Sequence, residues 1–433
     1  MEIEDSTPTP SPSGNGDERL SSSSRGPRGP RRERSERGGR EGGGRREGGG
    51  RGERPGRGER SERGGRREGP GRRGGDDRST QAPRQDKPAP APSAGEDPLG
   101  DLGGDLLTSV SRSFSLTIRL LPEPLREPIT LGYLLARAQD TIADTPALPA
   151  PARLEHLRAV LDMVKYGPDA EILRPLERAV TAKQPEGGER DLLGQLERCL
   201  AWLETQPEGD RWELRRTLAR IGRAQELDLL RFGDATADAP KALATAAELD
   251  EYTYLIAGCV GELWTRLCQR HLESGWSKLD EAGMLALGCR FGQGLQMVNI
   301  LRDLPADLAE GRCYVPADLL ADHDLTPADL RKDPVRARGL LDELRRQAVE
   351  HLDAAWDYVK ALQGRKLRYA CALPVLIGLE TLGLLAKTSP LETTERLKVS
   401  RGSMRTLMAS TAVGAAFGPW LSRLHGKLRK KAA

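Results

Sequence analysis

Two stretches carry side chains whose types and spacing fit chemistry. Tyr133-Leu-Leu-Ala-Arg-Ala-Gln-Asp-Thr-Ile-Ala-Asp144 sets Tyr133, Arg137, Asp140 and Asp144 at steps of 4, 3 and 4. Gln296-Met-Val-Asn-Ile-Leu-Arg-Asp-Leu-Pro-Ala-Asp307 sets Gln296, Asn299, Asp303 and Asp307 at steps of 3, 4 and 4. On an α-helix such steps fall on one face. The residues between them include Leu134, Leu135, Ile142, Met297, Ile300, Leu301 and Leu304, so each helix reads as buried apart from one polar stripe. Carboxylates one turn apart repel, and an apolar setting tolerates them only beside a cation. A hard divalent ion with oxygen ligands, Mg²⁺ above all, suits the four aspartates, and Arg137 and Arg302 suit phosphate oxygens. Pro305 lies inside the second pair and is expected to bend that helix, moving Asp307 off the ideal face.

A lone Asp-x-x-x-Asp means little. Asp101-Leu-Gly-Gly-Asp105 has the same spacing and reads as a polar helix start or loop. Two such pairs, each extended to four polar residues on an apolar helix, point to a site. Between them, in Tyr252-Thr-Tyr-Leu-Ile-Ala-Gly-Cys-Val-Gly261, the residues Tyr252, Leu255 and Cys259 share a face. Each helical glycine costs about 1 kcal/mol against alanine, so Gly258 and Gly261 imply close approach of a helix or a ligand.

The elements that position these residues are helical. From Leu99 onward Leu, Ala, Arg and Glu recur at 3–4 spacing, which predicts helices near 125–144, 152–165, 169–181, 189–204, 209–231, 247–271, 279–309, 333–363 and 366–387. There is no βαβ alternation and no internal repeat, so the fold class is all-α, a single-core bundle. Residues 1–98 are almost entirely Gly, Arg, Glu, Ser, Pro and Asp and read as a disordered extension. Their Arg/Gly tract resembles RNA-contacting segments, but interleaved Glu and missing aromatics favour a solvating or tethering tail. The net charge of +3 argues against a dedicated nucleic-acid binder. No basic segment followed by an apolar run opens the chain, so no secretory signal is read there. Six scattered cysteines lack zinc or CxxC spacing, as expected of reduced thiols in a cytoplasmic protein. No convincing membrane-spanning run appears. Residues 406–433 read as an aromatic and basic tail suited to lying on an anionic membrane surface.

Ser111-Arg-Ser-Phe114, Arg137 through Asp144, Tyr252 through Gly261, and Asn299 through Asp307 followed by Gly311-Arg-Cys-Tyr together resemble the squalene/phytoene synthases. The likeness covers about residues 105–405. It implies the isoprenoid synthase helical fold with a central cavity, a catalytic domain at 99–405, and head-to-head condensation of two allylic prenyl diphosphates. By carry-over, Asp140, Asp144, Asp303 and Asp307 hold Mg²⁺, and Arg137 and Arg302 hold phosphate. Ser111, Phe114, Tyr133, Gln296 and Asn299 support the substrate, and Tyr252 stands near the carbocation.

Asp140-Thr-Ile-Ala-Asp144 and Lys398-Val-Ser-Arg-Gly-Ser-Met-Arg-Thr-Leu-Met408 resemble the squalene synthases more than the phytoene synthases. The implied reaction joins two farnesyl diphosphates to presqualene diphosphate and reduces it with NADPH, with Lys398 and Arg401 on the cofactor phosphates. The alternatives are a phytoene or dehydrosqualene synthase that uses no reductant, and a non-catalytic tethered scaffold. The expected state is a cytoplasmic monomer, with peripheral contact to a membrane.

Overall fold

The computed structural model describes residues 102–111, 117–393 and 396–433. The low-complexity extension and Phe114 therefore lie outside the described residues. A π-helical turn, Leu102–Leu106, leads into a single helical turn, Leu107–Val110. The main helices are α1 (Glu123–Ala143), α2 (Ala150–Tyr166), α3 (Ala170–Ala179), α4 (Gly188–Gly194), α5 (Leu196–Thr205) and α6 (Glu208–Phe232). They continue as α7 (Ala246–Thr253), α8 (Cys259–His271), α9 (Glu281–Ala309), α10 (Ala317–Asp322), α11 (Arg338–Ala361), α12 (Arg365–Leu385), α13 (Arg401–Ala416) and α14 (Gly418–Ala432).

Helix α9 runs through the middle and packs on α8, α11 and α12, while α1 packs on α2, α5, α6 and α8. The core is aliphatic, with Leu131, Leu134, Leu135 and Ile142 of α1 and Leu301, Leu304 and Leu308 of α9 buried. Small residues set the spacing of the central pair. A Cβ on Gly261 would lie 1.8 Å from the Gly288 carbonyl oxygen, and one on Gly292 would lie 1.9 Å from that of Ala257. The glycines near Tyr252 thus serve backbone-to-backbone helix packing.

The expected helices are present with three differences. The segment read as 189–204 breaks at Gln195, whose φ of −106° and ψ of 8° leave the helical region, giving α4 and α5. Residues Tyr254–Gly258 between α7 and α8 form a π-helical turn. The helix α9 runs unbroken through Pro305 to Ala309, because a proline removes one backbone donor without ending a helix held on both flanks by packing. Two short strands escaped the sequence reading: β1 (Lys241–Ala242) pairs in parallel with β2 (Arg312–Cys313).

The C-terminal segment is folded rather than a tail. Helices α13 and α14 pack on α12, burying Leu407, Thr411, Ala415, Leu421, His425, Leu428 and Ala432. The His425 ring stacks on Trp356 at 4.1 Å, and Arg345 donates to the carbonyls of Ala432 and Ala433. Hydropathy averaged along this stretch hides a one-sided apolar face. Helix α12 is long and apolar enough to cross a membrane, but most of that apolar stretch is buried inside the bundle.

Candidate active site

The two polar stripes face each other across a cavity of about 420 Å³. Arg137, Asp140 and Asp144 line it from α1; Gln296, Asn299, Arg302, Asp303 and Asp307 line it from α9. Tyr252, Ile256 and Ile300 supply part of its apolar wall. Asp307 points into the same cavity as Asp303, so Pro305 does not displace it.

Both stripes are tied by arginines. Arg137 pairs with Asp140 at 2.6 Å and with Glu189 at the start of α4. Arg302 forks onto its neighbour Asp303, at 2.9 Å through Nε and 2.5 Å through Nη2. Arg312 links the two walls: it lies 3.3 Å from Asp144 and 3.8 Å from Asp307, and pairs with Glu310 at 2.7 Å. The turn that delivers it needs Gly311, which has φ +82° and whose Cβ would fall 2.4 Å from the Thr236 nitrogen.

The carboxyls are not equivalent. Burial, reinforced by Asp144, lifts Asp140 to about 6 against the pull of Arg137. Burial likewise lifts Asp307 to about 6 against Arg312. Burial also works on Asp303, but hydrogen bonds and charge from Arg302 and Arg396 outweigh it and hold that carboxyl below its ordinary range. Tyr252 is buried and stacks on Tyr314 at 4.6 Å, and burial first, then Asp228, raises its hydroxyl well above the usual range. Its phenol is therefore neutral at physiological pH.

Several contributors carried no assigned role in the sequence reading. Arg153 of α2, Gln225 and Asp228 of α6, Arg312 and Tyr314 all line the cavity. Arg396 grips Asp303 from the segment before α13, with Nε and Nη2 each at 2.7 Å. The run Gly311-Arg-Cys-Tyr was the one sequence signal for two of them. Other predicted residues stand elsewhere. Tyr133 is half-buried and donates to the Val110 carbonyl at 3.4 Å, beside Ser111, and neither lines the cavity. Lys398 and Arg401 are exposed and outside the lining.

The donor set fits Mg²⁺ arriving with a diphosphate. Mg²⁺ takes one or two carboxylates and completes its shell with phosphate oxygens and water. Each wall offers such a pair, and the raised Asp140 and Asp307 are carboxyls short of positive charge. Among the described residues, no three His, Cys, Asp or Glu side chains group closely enough to hold an ion unaided.

The chain belongs to the squalene/phytoene synthase family, whose sequence pattern matches residues 107–403. It is 26% identical over 332 residues to a squalene synthase of Botryococcus braunii, covering 75% of this chain and 66% of that protein. It matches the squalene synthase of Cyberlindnera jadinii at 26% identity, covering 75% and 70%. A bifunctional lycopene cyclase/phytoene synthase of Colletotrichum graminicola is 29% identical over 259 residues, 59% of this chain and 41% of that protein. The chain spans about half to two thirds of the length of the first curated relatives it matches. Among solved structures, the TcSQS ligand complex superposes with a TM-score of 0.60 at 20% identity, covering 78% of this chain and 98% of that one. The fold is the one shared by these structures.

Proposed function

We propose that the chain joins two farnesyl diphosphates head to head into presqualene diphosphate and reduces that intermediate with NADPH to squalene. The observation that carries this reading is the pair of Asp stripes facing each other over one cavity and linked through Arg312. Two diphosphates bring heavy negative charge, and opposed walls give each a carboxylate pair and arginines. Asp140 and Asp144 on one wall and Asp303 and Asp307 on the other would hold Mg²⁺, which would supply charge to stabilise departing pyrophosphate. Arg137, Arg153, Arg302 and Arg312 meet phosphate oxygens. Ile256, Ile300 and the neutral, electron-rich ring of Tyr252 flank the carbocation and keep water from it.

The names of the curated relatives support squalene as product. A second reading, dehydrosqualene or phytoene without reduction, draws support from the phytoene synthase among the curated relatives. Incubating the full chain with farnesyl diphosphate and Mg²⁺, with and without NADPH, separates the two by product mass. Squalene formed only with NADPH supports the first; an NADPH-independent polyene replaces it with the second. Reaction of geranylgeranyl diphosphate alone overturns the chain length.

Peripheral contact with the cytoplasmic face of a membrane belongs to the same proposal. Val413, Phe417 and Trp420 are exposed at the α13–α14 elbow, and α14 carries exposed Arg423, Lys427, Lys430 and Lys431. Loss of sedimentation with anionic vesicles on Phe417→Ser plus Trp420→Ser is the expected result; no sedimentation of the wild type removes this part.

A further inference from the structure

We infer that Asp228, held in place by the Tyr314 hydroxyl, accepts the proton released when the two allylic chains are joined. The inference rests on the condensation reading above. In that step the C1–O bond of one diphosphate breaks and pyrophosphate leaves with the electron pair. The C2=C3 electrons of the second chain form a bond to that C1, leaving positive charge on C3. One C1–H bond then breaks, its electrons close the ring by joining C1 to C3, and a proton must go to a base.

Five carboxylates line the cavity: Asp140, Asp144, Asp228, Asp303 and Asp307. The four on the stripes each face a guanidinium within 3.8 Å. Asp228 is different. It comes from α6, and its hydrogen bond is from the neutral Tyr314 hydroxyl, which donates to Oδ2 at 2.7 Å. Its Oδ1 is buried and has no partner among the described residues. An orphaned carboxylate oxygen beside a reaction cavity is costly unless something fills its lone pairs, and an incoming proton does so.

The tyrosines fix that carboxylate in the cavity wall. Tyr314 stacks on Tyr252, which holds the Tyr314 hydroxyl on Asp228. Asp228 itself lines the cavity, so a proton released there reaches it directly. Charges near Asp228 are Arg312, Arg231 and Asp144; burial prevails over the two arginines and lifts the carboxyl to about 7, basic enough for the task at neutral pH.

The test follows condensation alone, without NADPH, by single-turnover pyrophosphate release and by mass of the cyclopropylcarbinyl diphosphate. Asp228→Asn is expected to slow it at least about a hundredfold, the lower end of general-base effects. Asp228→Glu is expected to retain part of the rate and, with substrate deuterated at C1, to show a primary isotope effect above the small secondary effect of ionisation. Binding of the unreactive farnesyl thiolodiphosphate to Asp228→Asn is expected to match wild type, which shows an intact fold. Near-wild-type condensation by Asp228→Asn overturns the assignment. So does loss of analogue binding in Asp228→Asn together with an Asp228→Glu rate that is blind to deuterium, which makes Asp228 structural. If wild type itself releases no pyrophosphate from farnesyl diphosphate, the condensation reading fails first.

Discussion

Arg396 holds Asp303 in a two-pronged ion pair, Nε and Nη2 each 2.7 Å from a carboxylate oxygen. Arg302 occupies the same two oxygens. The proposed metal ligand that is most firmly ionised is thus also the one most fully covered by cations. A metal ion and Arg396 compete for it. Arg396→Gln is expected to leave stability within about 1 kcal/mol, since the Arg396 side chain is largely exposed and Arg302 still pairs with Asp303. It is also expected to lower the Mg²⁺ concentration giving half-maximal pyrophosphate release. A Mg²⁺ titration checks this, and an unchanged midpoint means that the pair is not displaced when metal binds.

Asp140→Ala and Asp307→Ala remove a proposed metal ligand from opposite walls. Losing about 4 kcal/mol of transition-state stabilisation corresponds to roughly a thousandfold in rate. Each variant is expected to fall by that order while its helical circular dichroism persists. Collapse of the helical signal in both would make the carboxyls structural.

The pH dependence of the metal-free protein has a definite sign. Asp140 and Asp307 sit near 6 and Asp228 near 7 in the fold, against 3.8 as the ordinary value. Between these limits the folded state binds more protons than the unfolded one, so stability falls as pH rises. In EDTA the melting temperature is expected to decline from about pH 5 to pH 8, and Asp307→Asn to flatten that decline. Mg²⁺ is expected to restore more stability at pH 8 than at pH 5, because it needs ionised ligands. A melting temperature that climbs over this range contradicts the raised carboxyls.

Gln139, one residue before Asp140, is fully buried, and neither its Oε1 nor its Nε2 has a partner among the described residues. Burying an amide without partners costs about 1–3 kcal/mol. Gln139→Leu, similar in volume, is expected to raise stability by about 1–2 kcal/mol in urea unfolding with activity retained. Destabilisation would reveal a bound water satisfying the amide.

Much of the site was legible in the sequence because helical periodicity is local. The steps of 3 and 4 already put Asp140 with Asp144, and Asp303 with Asp307, on single faces, and the same periodicity marked most helices and the all-α class. What lay beyond reach depends on contacts between distant residues. No spacing rule brings Arg312 between Asp144 and Asp307, sets Tyr314 against Asp228, or carries Arg396 to Asp303. Nor does periodicity show that Lys398 and Arg401 face solvent, or that α13 and α14 fold onto α12. Those outcomes were decided by how helices stack, where Gly261 and Gly292 let backbones touch and Gly311 turns the chain back. A stripe of side chains is a property of one helix; a cavity walled by residues from distant segments is a property of several packed together.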